Sequence, residues 1–342
     1  MEQTSAATLM AEFTSLKSLV EKAGLYRKQP LFYILQSIWV VLLLTLNIFI
    51  LFATQNILIQ ILNAVLLSFT FVQFGFLIHD TGHQQVFSRL WKNNLMGYIC
   101  TFVLGISFSW WNNKHNTHHV HPNHEDMDPD IQFPFIVFSK ERARETKGRV
   151  ARFFVRNQGY AIIPIQFLML FAFQISNIQF LLKQKAKNRL PELYLLIAHF
   201  VVYFGLVFFA LGFWRGLIFI LTHQLICGFY LGMVFATNHK GMPLLDEEKH
   251  PGFLRTQVLT ARNIYSHPIL DLFYGGLNYQ IEHHLFPDMP RNMLRKTQAI
   301  VKKYCKEKSI IYHETGVIGS YVEIVQYMHE IGSVLRRKTV HG

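Results

Sequence analysis

Residues 31–53 and 57–78 contain no charged side chain and are apolar almost throughout. As α-helices, each is long enough for one passage through a bilayer's hydrocarbon core. The polar residues Thr54, Gln55 and Asn56 between them read as the turn of a helical hairpin that brings the chain back to its starting side. Three more apolar runs, 160–182, 193–214 and 216–237, follow a long mixed stretch. The charged fraction, 16% of 342 residues, lies well below the roughly 25% of an average soluble domain. The mean hydropathy is positive, +0.21. These runs must be helices with their backbone polar groups satisfied internally, which predicts an all-α integral membrane protein.

Histidine spacing supplies the second constraint. His115, His118 and His119 stand at i, i+3 and i+4. On a helix the second and third lie about 60° to one side and about 40° to the other of the first, so all three share one face. Gln280, His283 and His284 repeat that spacing, and His79 and His83 stand at i, i+4. Imidazoles stacked on a helix face are what helix-borne metal ligands require. The cysteines Cys100, Cys227 and Cys305 are far apart and form no CxxC pair, which disfavours a zinc finger, an iron–sulfur cluster or a disulfide framework. That usage fits a reducing compartment. Seven histidines exceed what one tetrahedral zinc can use, so two metal ions are expected; spacing alone leaves iron, zinc and copper open.

Parity then constrains the topology. His239 and the third histidine group follow residue 237, so an even number of crossings must separate them from the first two groups if all share one face. One run must stay out of the count. Run 160–182 contains Pro164, Gln166, Gln174, Ser176, Asn177 and Gln179 and is followed by Lys183, Lys185, Lys187 and Arg189, so it is assigned to the interface. The expectation is four transmembrane helices (31–53, 57–78, 193–214, 216–237) in two hairpins, the second turning near Arg215. They belong to a membrane domain, 31–290, whose cytoplasmic helical cap holds a histidine-rich dimetal site.

Residues 1–30 carry an apolar stripe (Leu9, Phe13, Leu16, Leu19, Val20) beside Lys17, Lys22, Arg27 and Lys28, a cytoplasmic surface helix by the positive-inside rule. No signal peptide is visible. Residues 291–342 read as a cytoplasmic helical tail, placing both termini and the site on the cytoplasmic face. The formal charge of +12 is assigned to loops facing anionic lipid, because no nucleic-acid-binding module is present. Within it, the basic run 139–156 reads as lipid contact more readily than as a dock for an acidic carrier.

Asp80, Glu282 and Asn278 lie where they could support a ligand from behind, a carboxylate taking the second N–H of an imidazole. His121, His124, Asp126, Asp128 and Asp130 read mostly as a solvated loop, Trp110 and Trp111 as interface anchors. His199 and His223 read as bundle packing.

The motifs His79-Asp80-Thr81-Gly82-His83, Lys114-His115-Asn116-Thr117-His118-His119 and Asn278-Tyr279-Gln280-Ile281-Glu282-His283-His284-Leu285-Phe286-Pro287, set around two hydrophobic hairpins, resemble the membrane fatty acid desaturase family. Gln280 in place of a first histidine resembles the branch of front-end desaturases and related bacterial acyl desaturases. The resemblance implies that His79, His83, His115, His118, His119, His283 and His284 bind two ferrous ions, and that one further histidine after the last transmembrane helix, here His239, joins them. Gln280 is implied as a ligand or a near neighbour. It also implies O2 as co-substrate and a fatty acyl-CoA or acyl-lipid substrate in a lipid membrane. Front-end relatives often carry a fused cytochrome b5 domain. Here His250-Pro251-Gly252 matches its HPGG motif only in part and reads as a turn, so a separate ferredoxin or cytochrome b5 type donor is expected. The rivals are a hydroxylase built on the same cage, acting on an acyl chain, alkane or carotenoid, and a non-enzymatic metal transporter or receptor.

Overall fold

A computed structural model describes residues 6–133, 135–183, 189–245 and 251–336. Lys185, Lys187 and His250 lie outside the described residues, as do the ends of both predicted terminal segments. In chain order the helices begin with α1 (Ala6–Lys22), α2 (Pro30–Ala53), α3 (Ile57–Gly82), α4 (Leu90–Leu104) and α5 (Phe108–Val120). Next come α6 (Lys140–Glu145), α7 (Arg149–Arg156), α8 (Gln158–Ala161) and a 3-10 turn, Pro164–Leu168, leading into α9 (Met169–Lys183). The remainder are α10 (Arg189–His239), α11 (Phe253–Leu259), α12 (Pro268–Phe273), α13 (Gln280–Leu285), α14 (Leu294–Glu307) and α15 (Val317–Ser333). Two short strands, β1 (Asn263–Ile264) and β2 (Glu314–Thr315), pair in parallel. The chain divides into two compact units.

The first unit comprises residues 1–27, 114–165 and 234–342. Leu16 and Val20 of α1 are buried against Leu254 and Val258 of α11, Ile281 and Leu285 of α13, and Val301 and Cys305 of α14. Burying each such side chain fully stabilises by about 1.5–3 kcal/mol before entropy is counted. Arg255 ties α11 to α1 through both oxygens of Glu12, at 3.2 and 3.1 Å. Ile324 and Met328 of α15 pack with Ile131, Ile136 and Phe138 in a second cluster. There, α15 lies close to the end of α7: a Cβ at Gly332 would meet the Val155 carbonyl oxygen at 2.7 Å.

The second unit, residues 28–113 and 166–233, is built from apolar helices. Stretches Pro30–Ala53, Ile57–Gly82, Pro164–Lys183 and Arg189–His239 are each long and apolar enough to cross a membrane. α3 starts on Asn56, whose side chain accepts from the amides of Leu58 and Ile59. Gln60 donates to the carbonyls of Ile50 and Thr54 at the end of α2. Asn47 of α2 donates to Thr70 Oγ1 of α3 at 2.9 Å, and its carbonyl accepts from Asn63. Such pairs hold helices together where no water competes.

α10 spans 51 residues but breaks at Gly212, with φ 69° and ψ 179°. The expected turn near Arg215 thus falls three residues earlier, at a residue able to take positive φ without a Cβ clash. Gln55 braces the break, donating to Ala210 O at 2.7 Å and accepting from Arg215 at 2.9 Å. α3 runs unbroken through Asp80, so the first histidine pair continues an apolar helix instead of following it. Trp110 and Trp111 are buried, with relative exposures of 5% and 6%. The expectation of interface anchors is therefore corrected: Trp111 packs near the His79 ring and Trp110 against Phe173.

Candidate metal centre

In the second unit, the end of α3 carries His79 and His83, one turn apart, with ring centroids 4.8 Å apart. Asp80 stands beside His79, its Oδ1 3.1 Å from His79 Nδ1. Gly82 between them packs against Asn112, whose Oδ1 would have to shift for a Cβ there, since the two would stand 2.5 Å apart. Burial, and then the neighbouring His79, holds the His83 imidazole well below its ordinary range, which keeps it neutral and its lone pair available. Glu192 is buried at the start of α5, where its carboxylate accepts from the Ser109 amide at 3.1 Å and from the hydroxyls of Ser107 and Ser109. A negative charge at a helix N-terminus is favourable, so Glu192 secures the helix that carries the next three histidines.

In the first unit, three elements bring their imidazoles together. α5 presents His115, His118 and His119; α10 ends on His239; α13 presents His283 and His284. His239 Nε2 lies 3.3 Å from His118 Nε2 and 3.1 Å from His284 Nε2. His119 Nε2 lies 3.1 Å from His115 Nε2 and 3.1 Å from His283 Nε2. The two trios stand side by side, with the rings of His119 and His284 stacked at 4.2 Å and 17°. Each trio could place its three nitrogens around one cation, for within each the ligand atoms all lie within 4.8 Å of one another.

Hydrogen bonds on the far side of three rings decide which nitrogens face inward. His118 Nδ1 lies 3.0 Å from each oxygen of Asp128. His239 Nδ1 is 3.0 Å from the Thr260 carbonyl oxygen, and His284 Nδ1 is 2.8 Å from Gln257 Oε1. The orientation of the Gln257 amide is set by its Nε2, which donates to His119 O at 3.0 Å. All three partners accept, so each Nδ1 donates, and in a neutral ring Nε2 then carries the lone pair. Burial, then the neighbouring His118, holds His239 well below the ordinary imidazole range, which keeps this ring neutral. Imidazole nitrogens about 3 Å apart, turned inward by acceptors behind the rings, are compatible with a shared cation. With no thiolate among them, these donors suit two borderline divalent metals.

Gln280 also faces this cluster. Asn238 donates to the Leu277 carbonyl at 3.0 Å and to Gln280 Oε1 at 3.1 Å, which turns the Gln280 amide nitrogen toward His239 Nε2, 2.9 Å away.

Sequence reading undervalued Asp128. It is fully buried, and it accepts from the amides of Asn123 and Asp130 at 2.8 Å each. Burial pushes its pKa up, but His118 and Lys240 outweigh that and hold the carboxyl below its usual range. Asp130 pairs with Lys114, and its carbonyl accepts from Lys240. Burial pushes Lys114 down to about 7 and Lys240 to about 8. Glu282 departs from expectation: it bonds Asn263 Nδ2 and Tyr312 Oη, each at 2.7 Å, and burial raises it to about 7. Asn278 donates to Asp271 at 2.8 Å. Gln257, Thr260 and Asn263 went unnoticed because they form no spaced motif. They are polar residues in a polar stretch, marked only by burial.

Comparison with known proteins agrees with the geometry. A family model described as fatty acid desaturase matches residues 56–316. The acyl-lipid (9-3)-desaturase of Physcomitrium patens is 29% identical over 335 residues, covering 94% of this chain and 63% of its own length. The acyl-lipid (9-3)-desaturase of Borago officinalis is 28% identical over 328 residues, covering 92% of this chain and 73% of its own. The Delta(6)-fatty-acid desaturase fat-3 of Caenorhabditis elegans is 26% identical over 354 residues, covering 96% and 77%. With its motifs and most of its length matched, the chain belongs to the fatty acid desaturase family.

Proposed function

We propose that this protein is an O2-dependent fatty acyl desaturase that inserts a cis double bond into an acyl chain, using two iron ions. The observation that carries the reading is the inward-facing set of Nε2 lone pairs, fixed by acceptors behind His118, His239 and His284. In this reading His115, His118, His119, His239, His283 and His284, joined by His79 and His83, hold the two metals. Gln280 serves as a neighbour of His239, and binding a metal through its oxygen would require the amide to turn. Bound there, ferrous ions would supply an oxidant derived from O2, which an unactivated methylene demands because it offers no handle to a base or nucleophile.

The protein's own tasks are then physical. Asp128, Thr260 and Gln257 hold ring protons outward, so that the inner edges only accept. Buried surroundings keep the His83 and His239 imidazoles neutral and exclude water. Overall, two hydrogens leave adjacent carbons while O2, two electrons and two protons become two waters. The electrons come from a separate donor of ferredoxin or cytochrome b5 type.

The names of two relatives support a lipid-borne acyl chain as substrate. We further propose four membrane crossings, in two hairpins, with 160–182 in the interface and both termini and the site cytoplasmic. The test is expression in a host lacking unsaturated fatty acids, with double bonds located by mass spectrometry and iron counted per chain. A new double bond with two irons is expected. Hydroxylated lipids would favour the hydroxylase; zinc without oxygen consumption would favour the transporter.

A further inference from the structure

The C-terminal end of α10 is an accounting problem, because the last carbonyls of a helix have no partners within it. Ala236 O takes the Lys240 amide at 3.1 Å, and His239 O takes the Met242 amide at 3.1 Å. The other three go to one residue. Thr237 O accepts from Arg262 Nε at 2.6 Å, Asn238 O from the Arg262 amide at 2.9 Å, and Lys240 O from Arg262 Nη2. The remaining Arg262 nitrogen, Nη1, meets Glu323 of α15, and Glu323 Oε2 also lies 2.9 Å from His313 Nε2. The His313 carbonyl accepts from the Asn263 amide at 3.0 Å, closing a ring of contacts. Arg262 is fully buried, whereas the side chain of Glu323 is 36% exposed.

Resting on the metal-centre reading above, we propose that Arg262, held by Glu323, is a positioning residue that fixes His239 for metal binding. His239 is flanked on both sides by carbonyls that Arg262 occupies, and its own Nδ1 bonds Thr260, two residues before Arg262. The same short segment therefore sets the height of the helix end and the tilt of the ring. The planar guanidinium fork reaches three acceptors in different directions, which a lysine ammonium on its single stem does not reproduce. A cation there also suits the negative end of the helix dipole. Without it, two buried carbonyls, Thr237 O and Lys240 O, lose their donors, and the last turn of α10 can unwind, carrying the ring with it.

The test uses the full-length protein in detergent, loaded with Co2+, and compares wild type with Arg262→Gln and Glu323→Gln. Three quantities are read: Co2+ affinity against a competing chelator, the ligand-field absorption bands, and the thermal midpoint of the metal-free protein. For Arg262→Gln, affinity should fall about 10–100-fold, the range for groups that orient metal ligands. Glu323→Gln should shift affinity and bands in the same direction by less, with its metal-free midpoint near wild type. Should Arg262→Gln fail to fold, Glu323→Gln carries the test alone. The inference is overturned if affinity and bands match wild type, or if metal loss merely tracks the fall in thermal midpoint. Wild type taking up no metal would instead defeat the metal-centre reading itself.

Discussion

The two units solve opposite problems with the same twenty side chains. The helical unit of residues 28–113 and 166–233 turns its oil outward: Leu31, Phe49 and Leu58 are each 68% exposed, and Phe209 is 84% exposed. Its amides and hydroxyls point inward, as in the Asn47, Asn63 and Thr70 contacts. The other unit encloses its apolar clusters and adds fully buried Asp128, Arg262 and Glu282. One pattern suits a hydrocarbon surrounding, where every polar group must find a protein partner. The other suits water outside and a polar centre within, where each buried charge needs a specific mate.

That contrast can be broken from the site outward. His118→Ala removes a nitrogen from the trio around His239, so unsaturated product should fall below detection by gas chromatography while the chain still inserts. Persisting product would remove His118 from the ligand set. Asp128→Ala leaves the ring but frees its tautomer, and metal affinity measured by chelator competition should drop about 10–100-fold. A wild-type affinity would show that the carboxylate is incidental. The helical unit is probed at Leu42, 60% exposed near the middle of α2. Leu42→Asp should cost about 2.5–3.5 kcal/mol of membrane insertion, read from the membrane-integrated fraction, whereas Leu42→Ala should change it little. Equal insertion of both would mean that this face does not meet lipid. The smallest effect is expected at Cys305, buried on α14, where burial pushes the thiol up to about 12. Maleimide should label it only after unfolding, and rapid labelling of the native protein would contradict the packing of α14 against α1.

Much of this was legible in the chain. Uncharged runs as long as a bilayer is thick announce helices whatever their neighbours, and periodic histidines announce a shared face. The helix carrying His115, His118 and His119 and the one carrying His283 and His284 followed from spacing, and the candidacy of His239 from the family resemblance. The break in α10 was displaced by three residues because Arg215 marks polarity whereas Gly212 marks backbone freedom. The tryptophans were misplaced because aromatic residues beside a membrane segment suit burial and interface alike. Asp128 was undervalued, and Gln257, Thr260, Arg262 and Asn263 missed, for one reason. Their roles come from contacts across long loops, such as Gln257 with His119, 138 positions away, and no local period encodes such contacts.

Gln257 shows how narrow that unwritten layer is. Its amide gives a hydrogen to one backbone oxygen and receives one from the His284 ring, so its two ends are not interchangeable. Turned the other way, its nitrogen would face Nδ1, and the ring would have to move its own hydrogen to the inner edge. The difference between a site open to a cation and one closed by a proton thus comes down to a nitrogen and an oxygen exchanging places on a single side chain.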